Sequence, residues 1–457
     1  MQVALAIAVT AMVAANGPVT YVVGGLPAVY GIGLLADGVS SVFVVLVAVA
    51  AATLYLAVRS EVSGMTDSLW LLLVAGLTGV TVTADVFNLY VFLEISGVAA
   101  YALVAGRRGA TAAFAALHYL LVGTVGATFY LLGVGYAYVA TGTLAMASLR
   151  SGLASAGYGS PLVVAAFVLI AIGLSVKIAL FPLHTWKPDA YAAAPLDVTA
   201  LLATLGSTVA GYALVRIVFD VFTVAFLTAA PLARTGLLAV GVVSVLVGGY
   251  LTFRQSNVQR LLATSSVLQF GLVTIGIALG TTAAVVGALL LLVGNAVAKG
   301  GLFVAAGLFE RDLVATTVAD YAGLAREAPV LSAAIAVGFA SLVGLPPTVG
   351  FAGKWYLALA AIETSAWGTT AVVVGSTLLS LVYAGRVVEQ LYFAPESSSA
   401  NRRVTDGGRS TNAANASALS DTRAVVVVII AAVTTVVLGL GSTELANWFT
   451  PVVEGWL

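Results

Sequence analysis

The chain has no cysteine in its 457 residues, which excludes disulfides, thiolate metal sites and iron–sulfur ligation by its own side chains. Its two histidines, His118 and His184, are too few for a haem or zinc site of ordinary design. No cofactor or metal is therefore expected, and any electron transfer belongs to another chain. Charge is scarce too: 8% of residues are charged, where a soluble domain carries about 25%. The formal net charge of +0 leaves no basic footprint for a nucleic acid. No nucleophile with its base and no phosphate loop is present, so the reading is not that of an enzyme. Lysine is the rarest charged type: there are four, against fifteen arginines.

Apolar residues are abundant, at 61% of the chain. Such a composition describes an all-α polytopic membrane protein, multi-pass in the cell membrane and surrounded by lipid. With about 20 apolar residues needed per span, thirteen segments are expected. They cover 2–16, 38–58, 66–84, 86–105, 111–140, 161–181, 196–219, 233–252, 258–280, 282–308, 330–363, 366–392 and 423–441. The first has no basic run before it and reads as a helix that stays in the membrane. Residues 142–161 are too polar to span and read as a surface loop or short interfacial helix.

Five regions follow. Residues 1–65 hold the first helices and a Gly-rich surface turn at 24–38, and residues 66–219 and 233–392 each hold five helices. Residues 394–422, rich in Ser, Ala, Asn, Gly and Arg, read as a flexible linker, and 423–457 carries a last helix, apolar all round and expected to face lipid. In each five-helix set the fourth helix is interrupted by proline, at Pro182 in the first and at Pro346 and Pro347 in the second. An odd number of helices per set makes the second copy an inverted repeat, and paired interruptions of this kind mark transport paths. Proline removes an amide donor, so the broken backbone must find partners inside protein or in a wet cavity.

The lysines fall at the same places. Lys177 ends the segment before Pro182, Lys299 lies inside 282–308 and Lys354 follows Pro347; only Lys187 lies outside the apolar segments. Each central lysine costs about 2.5–3.5 kcal/mol on insertion scales. Unlike arginine, a desolvated lysine can release its proton. Snorkelling to an interface is the alternative for any one of them. Glu94 sits inside another apolar run, and Lys177 is its candidate partner. His118 reads either as a relay member or as an interfacial residue. Asp85, between two segments, and His184, in the first break, are possible supporting groups. Asn295 shares a helical face with Lys299, and the Thr208 hydroxyl is expected to bond back to its own helix.

The runs TADVFNLYVFLE (83–94), SVKIALFPLHTWKPDAYAAAP (175–195), VGNAVAKGGLF (293–303) and GLPPTVGFAGKW (344–355) resemble the antiporter-like subunits shared by Mrp-type sodium/proton antiporters and the membrane arm of respiratory complex I. FNLYVF and the lysine of GFAGKW are most similar to the D subunit of the Mrp antiporter. The resemblance implies that Glu94 is a coupling glutamate, and that Lys177, Lys299 and Lys354 continue a hydrated axis along the membrane midplane. It places His118 and Thr208 where relatives commonly have lysine, and Asn295 and Tyr191 where they have histidine. It also implies one helix fewer at the start than in those relatives.

The expected function is thus a proton-translocating subunit of a multisubunit monovalent cation/proton antiporter, with other membrane subunits as partners and protons and Na+ as ions. The alternatives are a pumping subunit of a complex I or membrane hydrogenase type assembly, which would make the chain a translocase subunit, and a non-conducting structural paralogue.

Overall fold

The computed structural model describes residues 1–25, 31–58, 64–107, 109–395 and 421–457. Helices form where the apolar segments lie. Helix α1 spans Gln2–Asn16, followed by strands β1 (Val19–Val22) and β2 (Gly33–Ala36), which pair antiparallel with Val19 opposite Ala36. The predicted turn at 24–38 therefore contains part of a small hairpin, and its residues 26–30 lie outside the described residues. Helix α2 (Gly38–Ala57) starts at a capping box between Asp37 and Ser40. Helices α3 (Gly64–Val82), α4 (Val86–Val104) and α5 (Ala110–Thr141) follow. The polar stretch after them forms the short helix α6 (Met146–Ala156).

The first broken helix consists of α7 (Pro161–Ile178) and α8 (Trp186–Ala193). The next span, Leu196–Ala229, is irregular: α9 (Leu196–Leu201), α10 (Ser207–Arg216) and α11 (Thr223–Ala229) are joined by π-helical turns at Leu202–Gly206 and Ile217–Phe222. Then come α12 (Pro231–Arg254), α13 (Val258–Leu279), α14 (Thr282–Leu313) and the single turn α15 (Leu324–Glu327). The second broken helix is α16 (Pro329–Val343) with α17 (Val349–Glu363), and α18 (Trp367–Tyr392) follows it. Helices α19 (Thr422–Leu440) and α20 (Ser442–Trp456) close the chain. Eleven helical spans among the described residues are long and apolar enough to cross a membrane, with α1 and α16 shorter apolar helices. Those two complete the thirteen expected segments, and α20, polar on one face and interrupted by Pro451, was not expected. The linker at 394–422 lies outside the described residues except for its ends.

Close helix approach depends on glycine, because two apolar helices gain little by leaving lipid unless their backbones touch. A Cβ on Gly173 of α7 would come within 2.6 Å of the Gly126 carbonyl oxygen on α5, and one on Gly271 of α13 within 2.8 Å of the Gly241 oxygen on α12. Helix α13 is buried at every position but Arg260, and α14 is nearly as enclosed, so these two form the centre of the bundle. Helix α19 is exposed on one side only. Its Ala424, Val427, Val428, Ala432 and Thr435 are buried, and it packs on α14, α16 and α17, which corrects the expectation of a wholly lipid-facing last helix.

The two breaks are built alike. Each first half ends in a left-handed residue, Ala179 (φ 62) and Gly344 (φ 82), and the next amide reaches back five residues, Leu180 to Ser175 and Leu345 to Ala340. That is the Schellman arrangement, which satisfies carbonyls at a helix C-terminus. The following prolines, Pro182 and Pro347, both take cis peptide bonds. The lysines differ in placement: Lys177 precedes its break, whereas Lys354 follows its own. The lysine that follows the first break is Lys187, in the first turn of α8.

Candidate functional site

Glu94 and Lys177 meet. The Lys177 ammonium lies 2.8 Å from Glu94 Oε1 and donates to the Tyr101 hydroxyl at 3.3 Å. The side chains are 24% and 11% exposed, so the pair is shielded but within reach of water. Glu94 and Gly97 are on one face of α4, and Gly97 leaves the room that the ammonium fills: a Cβ there would sit 2.9 Å from Lys177 Nζ. A ring stack backs the pair, with Tyr119 edge-on to Tyr101 at 4.6 Å and flat against Trp186 at 4.0 Å. The Trp186 indole N–H donates at 3.0 Å to the Val176 carbonyl, which also accepts the Ala179 amide at the end of α7.

The remaining lysines are all buried, and none snorkels. Lys299 on α14 donates to the Leu262 carbonyl and the Ser265 hydroxyl, both on α13. Lys354 donates at 2.9 Å to the Val343 carbonyl at the end of α16, and Gln269 of α13 donates at 2.8 Å to the neighbouring Leu342 carbonyl. Side chains thereby satisfy the second break, as membrane depth requires. Lys187, for which the sequence predicts no role, donates at 2.7 Å to the Ser207 hydroxyl.

The supporting candidates separate into two groups. Asn295 and Thr208 are buried with no hydrogen-bond partner for the amide or the hydroxyl among the described residues, so Thr208 does not bond back to its own helix. Buried groups of this kind are commonly satisfied by internal water. His118, His184 and Asp85 lie apart from the lysines' hydrogen bonds. His118 Nδ1 stands 3.8 Å from Asp189, whose other oxygen pairs with Arg260 at 2.8 Å. His184 lies in the first break with its ring 5.6 Å from that of Phe181. Asp85 caps α4, accepting the Asn88 amide at 2.7 Å.

Two further features had no sequence signal. Arg216 on α10 is enclosed by Asp37, by Asp220 at 2.9 Å and by the Trp456 ring at 5.1 Å. A surface crevice of about 840 Å³ is lined by Arg107, Asp197, Gln259, Glu310 and Arg311. Within it Glu310 accepts from Gln259 at 2.6 Å and pairs with Arg107 at 3.3 Å. Along α14, Glu310 stands roughly 16 Å from Lys299 at 1.5 Å per residue.

Residues 83–380 match the family described as "NADH:quinone oxidoreductase/Mrp antiporter, TM". A protein named as the N subunit of NADH-quinone oxidoreductase, from Desulforudis audaxviator (strain MP104C), is 42% identical over 396 residues, covering 85% of this chain and 78% of that one. A protein named as the D subunit of an Na(+)/H(+) antiporter, from Bacillus subtilis (strain 168), is 29% identical over 386 residues, covering 83% and 77%. Among solved structures, a chain of the membrane-bound sulfane sulfur reductase, an archaeal respiratory membrane complex, superposes with a TM-score of 0.85 at 30% identity. That match covers 99% of this chain and 89% of the other.

Proposed function

Because the chain belongs to the NADH:quinone oxidoreductase/Mrp antiporter family of multi-pass membrane proteins, we propose that it is a proton-translocating subunit of a multisubunit monovalent cation/proton antiporter, with Glu94, Lys177, Lys299 and Lys354 as its relay. The observation that carries this reading is the shielded Glu94–Lys177 ion pair beside a broken helix. An ion pair at this depth costs more desolvation than a packed apolar pair of the same size, so it is a poor device for stability and a good one for switching. Protonating Glu94 removes the negative charge that holds the Lys177 ammonium, and Lys177 is then free to pass its proton on. Lys299 and Lys354, buried with no carboxylate bonded to either among the described residues, extend the route into the second half. Na+ as the exchanged ion, and other membrane subunits as partners, follow the name of the Bacillus relative.

The 42% identical relative favours a second reading with the same chemistry, a pumping subunit in a complex I type assembly. The chain would then be a translocase subunit, with redox chemistry carried by its partners. Copurification separates the two: redox subunits with iron–sulfur clusters support the second, small membrane subunits alone the first. Both readings are tested by Lys177→Ala in the assembled complex, with ion-driven proton flux measured in vesicles. Loss of flux is expected, and unchanged flux refutes the relay.

A further inference from the structure

None of the four relay groups named above lies between Lys177 and Lys299, and a further lysine, Lys187, occupies that interval. We infer that Lys187 is the relay member that receives the proton from Lys177 and hands it to Lys299; the inference rests on the relay reading above. Lys187 is fully buried, and among the described residues no carboxylate pairs with it. Its side chain donates to the Ser207 hydroxyl, which in turn donates to the Lys177 backbone carbonyl at 3.2 Å. A cavity of about 20 Å³ lies between Lys177, Gly206, Ser207, Tyr119 and Tyr191. That is room for one water, enough to join the two amines through the Ser207 hydroxyl.

The far side of Lys187 faces α13. Its ammonium stands 4.8 Å from the Phe270 ring centre and 5.4 Å from that of Tyr191. Aromatic faces favour a desolvated cation without holding it in a fixed salt bridge. Helix α13 also supplies both hydrogen-bond partners of Lys299, Leu262 and Ser265, so the two lysines share one helix as their wall. The π-helical turn at Leu202–Gly206 ends immediately before Ser207, in keeping with the frequency of π turns at functional sites. The proton balance closes when the Ser207 hydroxyl turns from the Lys177 carbonyl to donate to the neutral Lys187 amine as it accepts a proton from the water: Lys177 is left as the neutral amine, the water and hydroxyl are restored, and Lys187 becomes the ammonium. The next step repeats this toward Lys299. Among the described residues, the titratable groups that the contacts place beside Lys187 are Tyr191 of α8, whose ring it faces, and Lys177 of α7, reached through Ser207.

The test compares Lys187→Met, Lys187→Arg and Lys187→His in the assembled complex, with Lys177→Ala beside them, by proton flux in vesicles across a pH series. Arginine keeps the charge but holds its proton, so both Met and Arg variants are expected to lose flux at least tenfold while the complex still assembles. Histidine restores a group that exchanges protons, with an ordinary pKa of about 6.5 against about 10.4 for lysine, so flux returns with its optimum moved toward acid pH. Wild-type flux in the Arg or Met variant, or a His variant as inactive as Met, overturns the inference. So does failure of all three to assemble, which makes Lys187 a structural lysine. Flux lost in Lys177→Ala but kept in the Lys187 variants removes only this inference; flux unaffected in both removes the relay reading with it.

Discussion

Gly97→Ala is a geometric test of the Glu94–Lys177 pair that leaves both partners in place. The added methyl carbon would lie 2.9 Å from Lys177 Nζ and 3.1 Å from the Tyr101 hydroxyl. Ordinary contact begins near 3.5 Å, so the ammonium must retreat by about 0.6 Å. It is the free end of a flexible stem, and the helix around it need not move. At an effective dielectric of about 20, unit charges at 2.8 Å attract by roughly 6 kcal/mol, and a retreat directed wholly away from Glu94, to about 3.4 Å, leaves roughly 5 kcal/mol, which sets the upper limit of the loss. The loss of about 1 kcal/mol corresponds to roughly a sixfold shift between paired and unpaired states. The assay is fluorescence quenching of a pH-sensitive dye in vesicles carrying the complex, with Lys177→Ala as the lower limit. Gly135→Ala on α5, where a Cβ meets nothing within 4 Å, is the neutral control. Flux is expected to change several-fold in Gly97→Ala, short of the loss in Lys177→Ala, with melting and assembly as in the wild type. Flux equal to that of the Gly135 control refutes the idea that the length of this ion pair governs transfer.

Three other outcomes follow from the same geometry. Arg216→Met leaves Asp37 buried without its cation, and breaking such a pair costs about 3–5 kcal/mol; the complex should melt lower in detergent, and an unchanged melt contradicts the role given to this cluster. Gln269→Leu orphans the Leu342 carbonyl at the second break, a cost of about 1–3 kcal/mol that thermal unfolding of the purified complex measures. At the surface, burial raises the Asp320 carboxyl, but its bonds from Thr317 and Thr316 outweigh that and hold it below the usual carboxylate range. Its contribution is present above the ordinary value and fades as pH falls through the lowered one. Asp320→Asn should therefore weaken protection of the Thr316 and Thr317 amides in hydrogen exchange at neutral pH, and the difference from wild type should close in acid.

The sequence made the spans, the two breaks and the main pair legible for physical reasons. Membrane helices need long apolar runs, Pro182 and Pro347 interrupt two of them, and Glu94 and Lys177 were the costly charges at the right depth for each other. Lys187 escaped because TWKPDAY reads as a polar connection. A helix start at Thr185, followed by Pro188 and Asp189, would have put this lysine in the first turn of α8, facing inward. The π-helical turns carry no compositional mark, and α20, with Pro451 and a polar face, falls below any spanning threshold. The pairing of Arg216 with Asp37 joins residues far apart in the chain, and neither position announces the other.

Helix α13 holds Leu262 and Ser265 against Lys299, Gln269 against the end of α16, and Phe270 against Lys187. With no lipid-facing side, it behaves as a connecting rod inside a sleeve. A rigid shift of this helix along its axis would carry all of these contacts together, because they sit on one element.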